Sequence, residues 1–107
     1  MRTENVDGAV VVSVSGEVDM GTAPAVEESI KTALEGEPAV LVVDLSDVSF
    51  LASAGMSVLI SGMQQAGERT AFRLVATGTA TLRPMELTGI AGVFAIHPTR
   101  DRALRGG

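Results

Sequence analysis

"DLSDVSFLASAGMSVLI", residues 44 to 60, passes from an acidic strand end through small residues into a helical repeat, and its reading decides the fold. On the C-terminal side, Met56, Leu59, Ile60 and Met63 recur at i, i+3, i+4 and i+7, which is one face of an α-helix that Gly67 brings to a stop. On the N-terminal side, "AVLVVDL" at 39 to 45 is an apolar run without alternation. Such a run suits a strand covered on both faces of a largely parallel sheet, so it is the candidate central strand. The "SDVSFLAS" segment between them reads as a connection. Ser53 then falls at the N-cap of the helix, with Ala54, Gly55 and Met56 as N1 to N3.

Working outward, "AVVVSVSG" at 9 to 16 is rich in β-branched residues, and "EVD" at 17 to 19 continues past Gly16. The pattern predicts a bend or hairpin near Ser15 and Gly16, read here as an edge hairpin. A helix follows from Thr22, which can cap it. Pro24 lies in its first turn, Val26, Ile30, Ala33 and Leu34 keep helical spacing, and Gly36 and Pro38 end it. Downstream, "AFRLVAT" at 71 to 77 is strand-like, and Thr81 to Leu87 reads as a short helix with Pro84 in its first turn. "GVFAI" at 92 to 96 is a last strand, before a terminal helical piece around Arg100 to Leu104. The order ββαβαβαβα predicts an α/β fold with helices on a mixed sheet. At 107 residues the chain is expected to form one domain, 1–107.

Composition narrows the functions. Hydrophobic content is 46% but aromatic content only 3%, with no Trp or Tyr, so the core is aliphatic and stacking platforms for bases or sugars are missing. A net charge of −5 disfavours nucleic acid, whose phosphates need a basic patch, and favours basic partner surfaces. The absence of cysteine removes disulfides, thiolate metal sites and thiol nucleophiles. The N-terminus has no signal-peptide h-region, and its Val run is too short and too broken by Ser to span a bilayer. No nucleic-acid partner and no membrane partner are expected, and the expected location is cytoplasmic.

Catalytic constellations are sparse. His97, the one histidine, precedes Pro98 with no second metal-ligand type nearby, and reads as a polar residue at a strand edge. The pairs Asp44 with Asp47 and Glu17 with Asp19 are spaced as local backbone acceptors around turns, and no nucleophile, base and oxyanion set accompanies them. The glycines form neither GxGxxG nor a P-loop. "GTATL" at 78 to 82 reads as a helix cap or an anion nest. No enzyme activity, no cofactor and no metal site is expected.

Ser53 therefore carries two readings. As a cap it would contribute about 1 kcal/mol. It also follows the candidate central strand, where α/β sheets present ligands and partners, and Ala52, Ala54 and Gly55 flank it without hiding it.

Three blocks, "GEVD" at 16 to 19, "VVDLSDVSFLASAGMSVLI" at 42 to 60 and "MELTGIAGVFAI" at 85 to 96, resemble the STAS-domain family, specifically the bacterial anti-sigma-factor antagonists. The resemblance covers essentially the whole chain and implies a small mixed β-sheet with helices packed mainly on one face. It implies phosphorylation at Ser53 by a partner anti-sigma factor that is itself a serine kinase. The unmodified antagonist binds that kinase and releases a sigma factor, phosphorylation ends the binding, and a phosphatase resets it. The implied partner-binding patch is Asp19, with an exposed carboxylate at a strand end, together with Ala52, Ser53, Ala54 and Gly55. Many relatives carry Asp before the serine and Ser or Thr after it, whereas this chain has Ala52 and Ala54. The other reading of the resemblance is a ligand-sensing or scaffold STAS module without a phosphorylation cycle.

Overall fold

The apolar run at 39 to 45 becomes the middle strand of a five-stranded sheet. A computed structural model describes residues 1–106; Gly107, the last residue of the expected domain, lies outside the described residues. In chain order the elements are β1 (Arg2–Val6), β2 (Ala9–Val18), α1 (Ala23–Glu35), β3 (Val40–Leu51), α2 (Ser53–Ala66), β4 (Ala71–Val75), α3 (Leu82–Leu87), a 3-10 turn (Ala91–Val93), β5 (Ala95–His97) and α4 (Arg100–Arg105). The strands lie in the order β1-β2-β3-β4-β5. The β1–β2 pair is antiparallel and the other three pairs are parallel, which makes the sheet mixed.

The edge hairpin is not where the sequence placed it. Its turn is Asp7-Gly8, with φ of 48° and 84°, and it joins β1 to β2. Both residues are left-handed, as a two-residue hairpin with the twist of its strands requires. At Ser15 and Gly16 the chain does not reverse. β2 continues to Val18, and Gly16, at φ 78°, marks a register irregularity within it.

The expected connection from Ser46 is likewise strand. β3 extends to Leu51 and pairs with the second half of β2, but with two register shifts. Ser13 faces Asp44 and Ser15 faces Asp47, so Leu45 and Ser46 bulge opposite Val14. Gly16 faces Val48 and Glu17 faces Phe50, leaving Ser49 as a second extra residue. Bulges change which face successive side chains occupy. The buried residues of the strand tail are therefore Leu45, Val48 and Leu51, three apart, and the period of two that marks a strand is lost.

Alternation elsewhere divides the core. Val12, Val14, Leu41, Val43, Phe72 and Leu74 face α1 and α2, meeting Val26, Ile30, Met56, Val58 and Leu59, with Met85 of α3 and Phe94 completing the layer. On the opposite face Val11, Val42 and Val75 meet Ala103 of α4. Three helices thus share one face, and one short helix covers the other. The "GVFAI" strand shrinks to Ala95–His97, because Ala91–Val93 coils into the 3-10 turn.

Candidate functional site

The carboxyl ends of β2 and β3 bring Asp19 and Ser53 together. Past the paired residues of the two strands, the Ala52 N–H donates to Val18 C=O at 2.9 Å, and Asp19 and Ser53 are the residues that follow on each side. Asp19 opens the turn into α1. Its Oδ1 accepts the N–H of Gly21 at 2.9 Å and of Thr22 at 3.1 Å, while its own N–H donates to Thr22 Oγ1 at 2.9 Å. Thr22 Oγ1 in turn donates to the Glu17 carbonyl at 2.8 Å. The Thr22 side chain therefore caps backward onto the strand end, and Asp19 supplies the acceptor for the start of the helix. Asp19 is half-buried, not the freely exposed carboxylate expected, and one of its two oxygens is committed to the turn.

Ser53 departs from expectation in a second way. Ala52, extended at φ −84° and ψ 172°, is the N-cap of α2, and Ser53 is the first helical residue. No side chain caps this helix. Intrahelical bonding begins with Met56 N–H to Ala52 C=O at 3.1 Å, so the N–H groups ahead of it have no partner within the helix. Ser53 is exposed, and Ala52 and Ala54 are half-exposed beside it. Gly55 is buried, and a Cβ there would lie 2.6 Å from Val18 Cγ1 and 2.7 Å from Leu51 Cδ1. Its part is to let the first turn of α2 settle onto the strand ends.

Two features of this end were missed in the sequence. Met20, in the turn after Asp19, is 84% exposed, and Phe50, three residues before Ser53, is 52% exposed. Their place among turn and strand-tail residues was the available signal. In addition, α2 carries no charged residue at all, so its exposed first turns offer the hydroxyls of Ser53 and Ser57. The acidic residues Glu17 and Asp47 stand exposed on the neighbouring strand tails.

Further back along the same strands, on the α4 face, lies a polar cluster. Arg100 donates from Nε to Asp44 Oδ2 at 3.1 Å, from Nη1 to Glu4 Oε1 at 3.2 Å and from Nη2 to Ser13 Oγ at 2.7 Å. The other oxygen of Asp44, Oδ1, accepts the Ser46 N–H at 2.9 Å and the Ser46 hydroxyl at 2.5 Å. Burial pushes the Asp44 carboxyl up, but the Ser46 hydroxyl and N–H together with Arg100 outweigh it, and the net shift is below the usual value. Burial likewise opposes the charge on Arg100, and Asp44 and Glu4 outweigh it, so that its pKa is raised. Asp44 is thus the local backbone acceptor its spacing suggested, while Asp47 remains exposed on the strand.

His97 ends the edge strand β5 with its Nε2 buried and without a hydrogen-bond partner. Among the described residues no group of three or more His, Asp or Glu side chains is placed to hold a metal ion, and no helix is long and apolar enough to cross a membrane.

The STAS-domain family model matches residues 1–103. The chain belongs to the STAS-domain family. A solved STAS relative, an anti-sigma factor antagonist from Mycobacterium paratuberculosis, superposes with a TM-score of 0.93 at 47% identity, covering 97% of this chain and 89% of that one. Among curated proteins, the anti-sigma-F factor antagonist RsfB of Mycobacterium tuberculosis is 39% identical over 100 residues, 94% of this chain and 82% of that protein. The anti-sigma-B factor antagonist of Listeria monocytogenes is 31% identical over 96 residues, 88% of this chain and 80% of that protein. The mixed sheet with helices mainly on one face is the STAS fold of these neighbours.

Proposed function

We propose that this chain is an anti-sigma-factor antagonist, a non-enzymatic protein-binding domain spanning residues 1–107, which docks an anti-sigma factor kinase in the cytoplasm and is switched off by phosphorylation at Ser53. The observation that carries the reading is the exposed Ser53 hydroxyl in the uncapped first turn of α2, flanked by small side chains and adjoining the Asp19 turn. The names of its relatives point to the same activity. A kinase must close around its acceptor, and Ala52 and Ala54 leave room for that. The docking patch is Asp19, Ala52, Ser53 and Ala54, with Met20 and Phe50 as apolar contacts and Gly55 as the packing residue beneath.

Phosphate on Ser53 adds roughly −1.5 to −2 charge. Within the fold it meets the free N–H groups and the positive end of α2, so the domain tolerates it. At the interface it places that charge on a helix that otherwise has none, beside the Asp19 turn. The doubly charged group must then be desolvated against the docked partner, and where the partner places no basic group to accept it, binding fails. A phosphatase restores the binding form.

The test is incubation with the cognate anti-sigma kinase and ATP, followed by mass spectrometry. Phosphate on Ser53, with loss of binding, is the expected result. Phosphate on Ser49 or Ser57 with Ser53 bare would overturn the site, and no phosphorylation by any candidate kinase would turn the reading to a ligand-sensing or scaffold STAS module, with Ala52→Asp as the first change to make.

A further inference from the structure

The Arg100 cluster lies outside the docking patch, yet one of its bonds holds Asp44 on β3, the strand that leads to Ser53. Arg100 is the first residue of α4, close to the end of the chain, and it bridges Glu4 on β1, Ser13 on β2 and Asp44 on β3. Asp44 is the residue on which the first β3 bulge turns. One of its oxygens holds the N–H and hydroxyl of Ser46, within the bulge, while the other is held by Arg100. Ser13 faces Asp44 in the register and marks the same bulge on the β2 side. The course of β3 toward Ser53 starts from that bulge, because an extra residue bends its strand and rotates the side chains that follow, and the second bulge at Ser49 adds to it on the way.

We infer that Arg100 is a positioning residue for the phosphoacceptor: by gripping Asp44 and Ser13, the last regular pair before the bulge, it sets the direction in which β3 delivers Ser53 to a kinase. This rests on the proposed function for the meaning of Ser53, and on geometry alone for the ordering of the segment. Three acceptors on three strands require the planar fork of a guanidinium. A lysine ammonium in its place keeps the charge but cannot span them with the same geometry. Asp44 is buried at 7% exposure, so it needs its cation, and without Arg100 it will turn toward water and loosen its hold on Ser46.

The experiment uses the full chain and two readouts: hydrogen exchange of the backbone amides from Ser46 to Ser53, which needs no partner, and the kcat/KM of the cognate kinase for the chain. The variants are Arg100→Met, Arg100→Lys and Ser46→Ala. Ser46 is exposed, so its loss of the hydroxyl bond to Asp44 leaves the fold intact even if Arg100→Met does not fold. Glu4→Gln, which weakens only the outer arm of the cluster, is the control. The expectation is faster exchange confined to this segment in all three variants, with Arg100→Lys no better than partly restored. Phosphorylation should fall about tenfold or more in Arg100→Met, since small misplacement of a reacting group carries losses of that order. Glu4→Gln should change neither. Wild-type exchange from Ser46 to Ser53 in both Arg100→Lys and Ser46→Ala overturns the inference, as does faster exchange with an undiminished kcat/KM. If the wild-type chain accepts no phosphate, it is the proposed function that fails, and the exchange data then decide the geometric half alone.

Discussion

Ser53 is a phosphoacceptor candidate because of what it does not do. A serine at the N-cap would be bonded to the helix it starts, whereas at N1, with Ala52 as the cap residue, no capping bond is made. Ser53→Ala should therefore melt within about 0.5 kcal/mol of wild type, not about 1 kcal/mol below it as loss of a cap would give. It should still bind the kinase and so act as a constitutive antagonist. Ser53→Glu should fold as well and bind at least about tenfold more weakly, a penalty of ~1.4 kcal/mol; wild-type affinity in a folded Ser53→Glu chain would sink the charge-block mechanism. Asp19 has a double task, and only one of its oxygens serves the turn. Asp19→Asn keeps an acceptor there and removes the charge, so it should weaken binding and its salt dependence with little change in melting temperature. Asp19→Lys loses the acceptor too and should lower both. Unchanged affinity in Asp19→Asn would remove this residue from the interface. Neither the N1 position nor the Asp19 turn was legible in the residues: N-cap and N1 differ by one backbone conformation, which depends on how far the preceding strand stays paired.

Among the elements, α2 was the most legible, since an amphipathic period survives whatever the helix packs against. Leu59 lies on its inner face at 1% exposure, and Leu59→Ala should cost about 2–5 kcal/mol, read from denaturant or thermal melts. Gly55 was read as a bare neighbour of Ser53, but its burial shows a second constraint. Gly55→Ala drives a Cβ into Val18 and Leu51, and should destabilise by about 1–3 kcal/mol and shift the start of α2. A Gly55→Ala chain as stable as wild type would mean the strand ends have slack to give. The tail of β3 was illegible for the opposite reason to α2. Its bulges at Leu45–Ser46 and at Ser49 interrupt the strand period, and a segment without a period reads as a loop.

For the whole molecule, the polar cluster ties stability to pH. The folded chain keeps Asp44 ionised to a lower pH than the unfolded chain does, so the unfolded chain takes up the proton first. The stabilisation is present in full above the usual carboxylate range, near pH 4, and is lost as pH falls through it toward the lower folded value. Melts across pH 2 to 7, the span that brackets that range, should show a smaller acid loss in Asp44→Asn than in wild type; identical acid limbs would mean that Asp44 is not what the acid attacks. By itself, the sequence determined the α/β class, the central strand, the order of elements from β2 onward, the helix faces and the location of Ser53 between strand and helix, while β1 at Arg2–Val6 went unread. All of these follow from local burial periods and local stop signals. Only the tertiary structure decided where the hairpin turns, that β3 runs on to Leu51, that Ser53 is N1, and that Arg100 reaches Asp44 and Ser13 within β3 and β2. These depend on hydrogen bonds between segments far apart in the chain, and no local pattern of residues records which distant partner a backbone group will find.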